Sequence, residues 1–306
     1  HRYMVRMFDS EHKTWDVKIQ QPSSDRFHQC LTAAGAPAGG FAPGTDTRGK
    51  LRRMTPADAL LIGVAGFGAG VVNGMAGGGS LVSYPALLAT GHSALVANVT
   101  NTVGILPGYI GGIAGFRREL VSQRTRVREL TPVCLLGGLA GAGLLLTTPE
   151  DVFDWVAPVL IVAACVMFAA QPLVQRWVAA RRSHVDLAEG VPTSAKAAVL
   201  LASIYGGYFG AGLGVIYLAV LGTVLIDPLP KINSLRGVLS LVVNGLAVVL
   251  FCIAADVAWG AAGLLAATSL VGGYLGARTA LKLPTPVLRT VVLVFGAIAF
   301  IRLVQP

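Results

Sequence analysis

Residues 73–80 read N-G-M-A-G-G-G-S, and residues 205–214 read Y-G-G-Y-F-G-A-G-L-G. Both clusters interrupt long apolar stretches. Glycine has no Cβ, so it lets a chain leave helical geometry and exposes its backbone amides. A helix that restarts after such a break aims the positive end of its dipole at the break. Together the amides and the dipole form an anion site that needs no buried cation. The competing reading is that these glycines only let helices cross closely. Two clusters at matching places in an internal repeat favour a site over packing alone. A nucleotide-phosphate loop is excluded, because no G-K-[ST] follows either cluster and both lie inside apolar segments.

Around these breaks the chain is apolar on a scale that soluble domains do not reach. Of its 306 residues, 54% are hydrophobic and 13% charged, about half the charge of an ordinary globular domain. Ten hydrophobic segments follow one another: 57–75, 78–90, 94–116, 130–147 and 152–179, then 195–211, 213–226, 232–255, 257–281 and 287–304. Most are long enough to cross hydrocarbon. The second of each five is too short to span and reads as a half-helix or re-entrant element. The expected fold is therefore an all-α polytopic membrane protein.

Adding 135 to a residue number superimposes the two sets of five: Gly77 falls on Gly212, Gly79 on Gly214, Asn98 on Asn233 and Asn101 on Arg236. Residues 54–182 thus form a first membrane repeat and 193–306 a second. Charge sets their orientation. Arg117, Arg118, Arg124, Arg126 and Arg128 mark one short loop as cytoplasmic. Glu150, Asp151 and Asp154 mark the next loop as external, and Arg176, Arg181 and Arg182 bring the chain back inside. In the second half, 255–260 carries no cation and reads as external, while Arg278, Lys282 and Arg289 read as internal. Equivalent loops fall on opposite sides, which predicts inverted repeats.

Residues 1–53 are a non-membrane extension of different character. They hold nine of the 24 Lys/Arg and five of the 15 Asp/Glu, and they end in a Gly/Pro/Ala-rich run. The stretch lacks the long apolar core of a signal peptide, and little fixed structure is expected there. The charge pattern places the start of the first membrane segment outside, against Arg52 and Arg53. A native start near Met54 removes that conflict; a small tail on either side of the membrane is the alternative.

The candidate substrate-binding residues are the break glycines Gly77, Gly78, Gly79, Gly212 and Gly214 with the nearby polar side chains of Ser80, Asn98, Asn101, Tyr208, Asn233 and Arg236. Asn98 and Asn101 are three apart on one helical face, as are Asn233 and Arg236. Each Asn either meets a ligand or cross-links helices. Arg236 lies four residues into its segment, and no carboxylate is available on that segment. It either snorkels to the surface, as Lys231 is expected to do, or faces the interior and pairs with a transported anion. No catalytic residue is assigned, because Asp58, Asp227 and Asp256 sit at segment ends and no His cluster enters the bundle. No metal site or cofactor is expected: the four Cys lack CxxC spacing and the five His are scattered. No basic patch interleaved with aromatics suggests nucleic acid. The partners this leaves are a small anionic substrate, the lipid bilayer of the inner cell membrane, a proton or other coupling ion, and a second copy of the chain in a homo-oligomer. A membrane-embedded enzyme or a scaffold subunit is the reading from another class.

The run G-M-A-G-G-G-S-L-V-S-Y-P-A-L-L followed by A-N-V-T-N resembles the first repeat of the TauE/SafE family of membrane permeases, and Y-G-G-Y-F-G-A-G-L-G-V resembles its second. The resemblance covers residues 57–304. The family more usually keeps a fuller Gly run and a Pro in the second short segment; here Leu213 interrupts the run and Val220 stands opposite Pro85. What the resemblance implies is secondary transport of sulfite or an organosulfonate such as sulfoacetate, with export the common direction. An importer of thiosulfate, or a carrier of another small organic anion, is the alternative.

Deleting residues 1–53 is expected to leave membrane insertion and transport intact, checked by expression of the shortened chain and flux in proteoliposomes. Loss of either overturns the dispensability of the extension.

Overall fold

The computed structural model describes residues 3–9, 14–20, 44–45, 51–52, 54–75, 77–115, 117–180, 191–225, 227–279 and 285–304. Arg181, Arg182 and Lys282, read above as cytoplasmic markers, lie outside them, as does most of the N-terminal extension. Residues 1–40 form a unit of their own. In it β1 (Tyr3–Asp9) pairs antiparallel with β2 (Thr14–Gln20), Tyr3 opposite Gln20 and Asp9 opposite Thr14. This hairpin is an element that the reading of the extension did not anticipate. A two-residue ladder, β3 (Gly44–Thr45) with β4 (Leu51–Arg52), precedes the membrane part.

Ten helices of ten residues or more follow among the described residues, one for each apolar segment. They are α1 (Pro56–Met75), α2 (Ser80–Ala89), α3 (Ala94–Gly115), α4 (Arg124–Thr147) and α5 (Glu150–Ala180), then α6 (Thr193–Tyr208), α7 (Leu213–Val224), α8 (Leu229–Ala254), α9 (Trp259–Thr279) and α10 (Thr285–Val304). Five of the described helices are long and apolar enough to cross a membrane, while α2 and α7 are shorter apolar helices. At 1.5 Å per residue, ten or twelve residues reach only about half the hydrocarbon thickness. Helix α1 opens on a reciprocal cap. The Asp58 N–H donates to Thr55 Oγ1 at 3.2 Å and the Thr55 N–H donates to the Asp58 carboxylate at 3.1 Å.

Large apolar side chains face outward along the bundle. On α5, Trp155, Val159, Val162, Val166, Leu173 and Trp177 are exposed at helical spacing, Trp155 by 84%. In water such a stripe would drive aggregation; against acyl chains it costs nothing. Helix α3 is the opposite case. It carries Asn98, Thr100, Asn101 and Thr102, all buried, and runs through the middle of the bundle.

Packing joins the halves. Helix α9 lies against α1 and α3, and α4 lies against α6 and α8; α10 packs on α2, and α7 on α5; α3 meets α8, and α5 meets α10. Glycine makes these approaches close. A Cβ on Gly70 of α1 would overlap the Ser269 carbonyl, one on Gly273 of α9 the Gly108 carbonyl, and one on Gly141 of α4 the Ile204 carbonyl. For these residues the packing reading is the right one. At one end of the bundle, Arg126 of α4 pairs with Asp227 just before α8, and Lys231 reaches the same carboxylate at 3.7 Å. Glu129 of α4 pairs there with Lys196 of α6 at 3.1 Å. The starts of α4, α6 and α8 therefore share one face. At the other end the Ala258 N–H, just before α9, donates to Thr100 Oγ1 near the start of α3 at 3.0 Å.

Gly273→Ala is expected to lower the thermal midpoint in detergent by several degrees, because its methyl must displace backbone. Gly263→Ala, with nothing within 4 Å of its Cβ position, is expected to be neutral or slightly stabilising, by up to about 1 kcal/mol. Equal midpoints would show that glycine contacts do not set the packing.

Candidate functional site

Both breaks are helix ends built on left-handed glycines. Helix α1 closes with the Gly77 N–H donating to the Val72 carbonyl at 2.9 Å, Gly77 standing at φ +79°. Helix α6 closes with the Gly210 N–H donating to the Tyr205 carbonyl at 3.2 Å, and Gly210 and Gly212 stand at φ +75° and +78°. These are glycine-capped C-termini. After each one the chain restarts at once, as α2 or α7.

The two breaks meet. A Cβ on Gly214 would stand 2.6 Å from the Gly77 Cα, and one on Gly77 would stand 2.8 Å from the Gly214 Cα. Over this contact lies Arg236 of α8, only 3% exposed. Its Nη2 donates to the Met75 carbonyl at 3.0 Å and its Nη1 to the Gly214 carbonyl at 3.3 Å. Snorkelling is thus overturned for Arg236, whereas Lys231 does reach the surface, 39% exposed beside Asp227.

A small pocket opens beside this junction, lined by Gly77, Gly214, Asn233 and Arg236, and also by Asn73, Tyr109, Ser234 and Ser240. Asn73 decides its character. The Asn73 Oδ1 accepts the Gly79 N–H at 2.8 Å, which caps the start of α2 from α1 and fixes the orientation of the amide. The Asn73 Nδ2 is then left buried with no hydrogen-bond partner, on a residue 8% exposed. The Asn233 Oδ1 is buried and unpartnered as well. Buried polar atoms are rarely left this way, and each such orphan costs about 1–3 kcal/mol. With a guanidinium alongside, the pocket suits a small oxyanion.

The other expected site residues sit elsewhere. Gly78 packs on the ring of Phe168, and Gly79 lies against the Ala69 carbonyl. Ser80 is buried at the first position of α2. A Cβ on Gly212 would stand 3.6–3.7 Å from Ala164 and Met167 of α5. The Asn98 Nδ2 donates to the Tyr208 carbonyl at 3.1 Å, so that Asn98 cross-links α3 to the end of α6. Asn101 accepts the Ser83 hydroxyl. Tyr208 packs on Phe153, with ring centroids 6.0 Å apart. Tyr109 and Ser240 are absent from the sequence-based candidates, and Asn73 stands there only as the first residue of the first break. The available signal was that Asn73 lies six residues before Gly79, close enough to cap it.

The family profile described as "Sulfite exporter TauE/SafE" matches residues 62–303. This chain belongs to the TauE/SafE family. It is therefore a multi-pass membrane protein of a transporter family. The TauE/SafE match reaches into every helix from α1 to α10 and takes in both breaks and the pocket. Relatives include the "Probable membrane transporter protein YfcA" of Escherichia coli K12, 26% identical over 248 residues, 80% of this chain and 90% of the relative. A "Probable membrane transporter protein" of Haemophilus influenzae is 26% identical over 231 residues, 76% of this chain and 88% of the relative. The "Probable membrane transporter protein ORF9" of a Sinorhizobium species is 25% identical over 245 residues, 78% of this chain and 90% of the relative. No solved structure matches this TauE/SafE chain significantly.

Gly214→Ala is expected to cost more stability than Gly212→Ala. The first forces two backbones apart. The second meets only ordinary contacts and carries a left-handed strain of about 1–2 kcal/mol. Thermal midpoints of the two purified variants test the order, and the reverse ranking would mean the breaks do not bear on each other.

Proposed function

We propose that this chain is a secondary transporter that carries a small sulfur-containing anion, sulfite or an organosulfonate such as sulfoacetate, outward across the inner cell membrane. One observation carries the anion: Asn73, whose Nδ2 has no partner, and Arg236 line the same pocket between two glycine breaks. An unpaired donor and a buried cation favour negative charge, and no carboxylate lines the pocket. The family description supports a sulfur oxyanion.

We infer further that the halves are inverted repeats. Exchanging them under the 135-residue offset turns the α1–α9 contact into α6–α4 and the α3–α9 contact into α8–α4, and both contacts of each pair occur. Helix α3 starts beside the start of α9, whereas its counterpart α8 starts at the face shared by α4 and α6. Equivalent helices running in opposite directions are what an inverted repeat requires. The pocket draws on the second half of α3 and the first half of α8, which puts it nearer the arginine-rich loop. By the positive-inside rule that side is cytoplasmic, the side from which an exporter loads.

Flux of sulfite, sulfoacetate and thiosulfate in proteoliposomes tests the substrate; transport of thiosulfate alone would favour an importer. Asn73→Asp keeps an oxygen for the Gly79 amide but turns an acceptor toward the pocket. The variant is expected to stay folded and to lose at least about tenfold in apparent affinity for sulfite, since an anion meeting an acceptor or a like charge is repelled. Unchanged affinity would remove the anion from this pocket.

A further inference from the structure

We propose that Arg236 does the work of a coupling cation, fixed in the chain, so that the junction of the two breaks assembles without a bound Na⁺. This inference deepens the transport reading of the same pocket.

The C-terminal end of a broken helix carries partial negative charge on carbonyls that no longer have intrahelical partners. In transporters built on discontinuous helices, a bound cation commonly satisfies such carbonyls near the substrate. Here the Met75 carbonyl, the last of α1, is such a group and accepts from the Arg236 guanidinium at 3.0 Å; the same guanidinium also donates to the Gly214 carbonyl in the first turn of α7, at 3.3 Å. The two carbonyls belong to opposite halves of the chain, so the guanidinium bridges the halves as a shared metal ion would. The fit is close: a Cβ at Gly77 would come within 3.1 Å of the Arg236 Nη1. The residue is buried, and a guanidinium stays charged at any physiological pH, so the positive charge at this point is permanent.

The counterpart of Arg236 in the first half is neutral: it is Asn101, which is bonded to Ser83. The last carbonyl of α6, that of Tyr208, accepts from the neutral Asn98 amide at 3.1 Å. The resident charge is therefore one-sided, and it lies on the side that holds the pocket. An anion entering there meets a positive centre that is already in place. The carbonyls are organised by that same centre before the anion arrives. Arg236 is in this sense a positioning residue for both breaks as well as a wall of the pocket.

The experiment has two independent readouts. In the first, thermal midpoints of the purified wild-type chain and of Arg236→Ala are measured in choline, Na⁺ and millimolar guanidinium. The wild type is expected to be indifferent. Arg236→Ala is expected to have a lower midpoint in choline and to recover part of the loss when guanidinium or Na⁺ fills the vacated carbonyl cradle. In the second, sulfite flux is measured in proteoliposomes with Na⁺ or choline on both sides. Wild-type flux is expected to be equal in the two, and Arg236→Lys, which keeps the charge but not the two-pronged reach, is expected to stay Na⁺-independent with a raised KM. A wild-type midpoint or flux that rises with Na⁺ overturns the proposal, as does an Arg236→Ala protein that neither cation stabilises. If the wild type moves no sulfur anion in either medium, the substrate reading falls, and the thermal arm still decides the role of Arg236.

Discussion

Everything near the middle of this bundle depends on one backbone contact. Gly77 and Gly214 come so close that neither has room for a methyl group, and they do so where two helices have just ended and two half-helices have just begun. A contact of this kind brings together orphan carbonyls and orphan amides, which hydrocarbon cannot solvate. The Arg236 guanidinium answers the orphan Met75 carbonyl on one side and also donates to the Gly214 carbonyl across the contact. The Asn73 side chain answers an amide on the other. The pocket is what remains once those needs have been met, and its unpaired Asn73 donor is a direct consequence of spending the other amide atom on the α2 cap.

Around that centre, close packing substitutes for the hydrophobic effect. Helices in lipid gain little from burying apolar surface against one another, because acyl chains are equally apolar. Association therefore rests on backbone proximity and on interhelical hydrogen bonds. Both are present where α9 crosses α1 and α3: Gly70, Gly108 and Gly273 let the backbones touch, and the Ser269 hydroxyl donates to the Gly104 carbonyl at 3.0 Å. The aromatic contacts of Tyr84, Phe153, Tyr208 and Phe209 add a compact cluster near the end of α6, with centroids 5.6–6.4 Å apart.

Asymmetry between the halves gives the site its sign. The repeat relates Asn101 to Arg236 and Asn73 to Tyr208. Arg236 of the second half offers a cation and Asn73 of the first half a free amide donor. Their counterparts are Asn101, bonded to Ser83, and Tyr208, whose ring packs against Phe153.

The ten apolar segments, the two short ones among them and the 135-residue offset were all legible in the sequence, because hydropathy over a bilayer thickness is a property of consecutive residues. The glycine breaks were legible for the same reason: the conformational freedom of glycine is local. The sequence did not reveal which glycines face each other and which merely pack. Gly79 and Gly214 are equivalent in the repeat, yet one lies against the Ala69 carbonyl of its own hairpin and the other meets Gly77 from the opposite half. Nor did spacing reveal the company of Arg236, since Met75 lies 161 positions away. A hydropathy pattern counts neighbours along the chain. A pocket gathers side chains from α1, α3, α7 and α8, and only the tertiary crossing of those helices determined that Asn73 would be left with an unpaired hydrogen-bond donor beside a buried guanidinium.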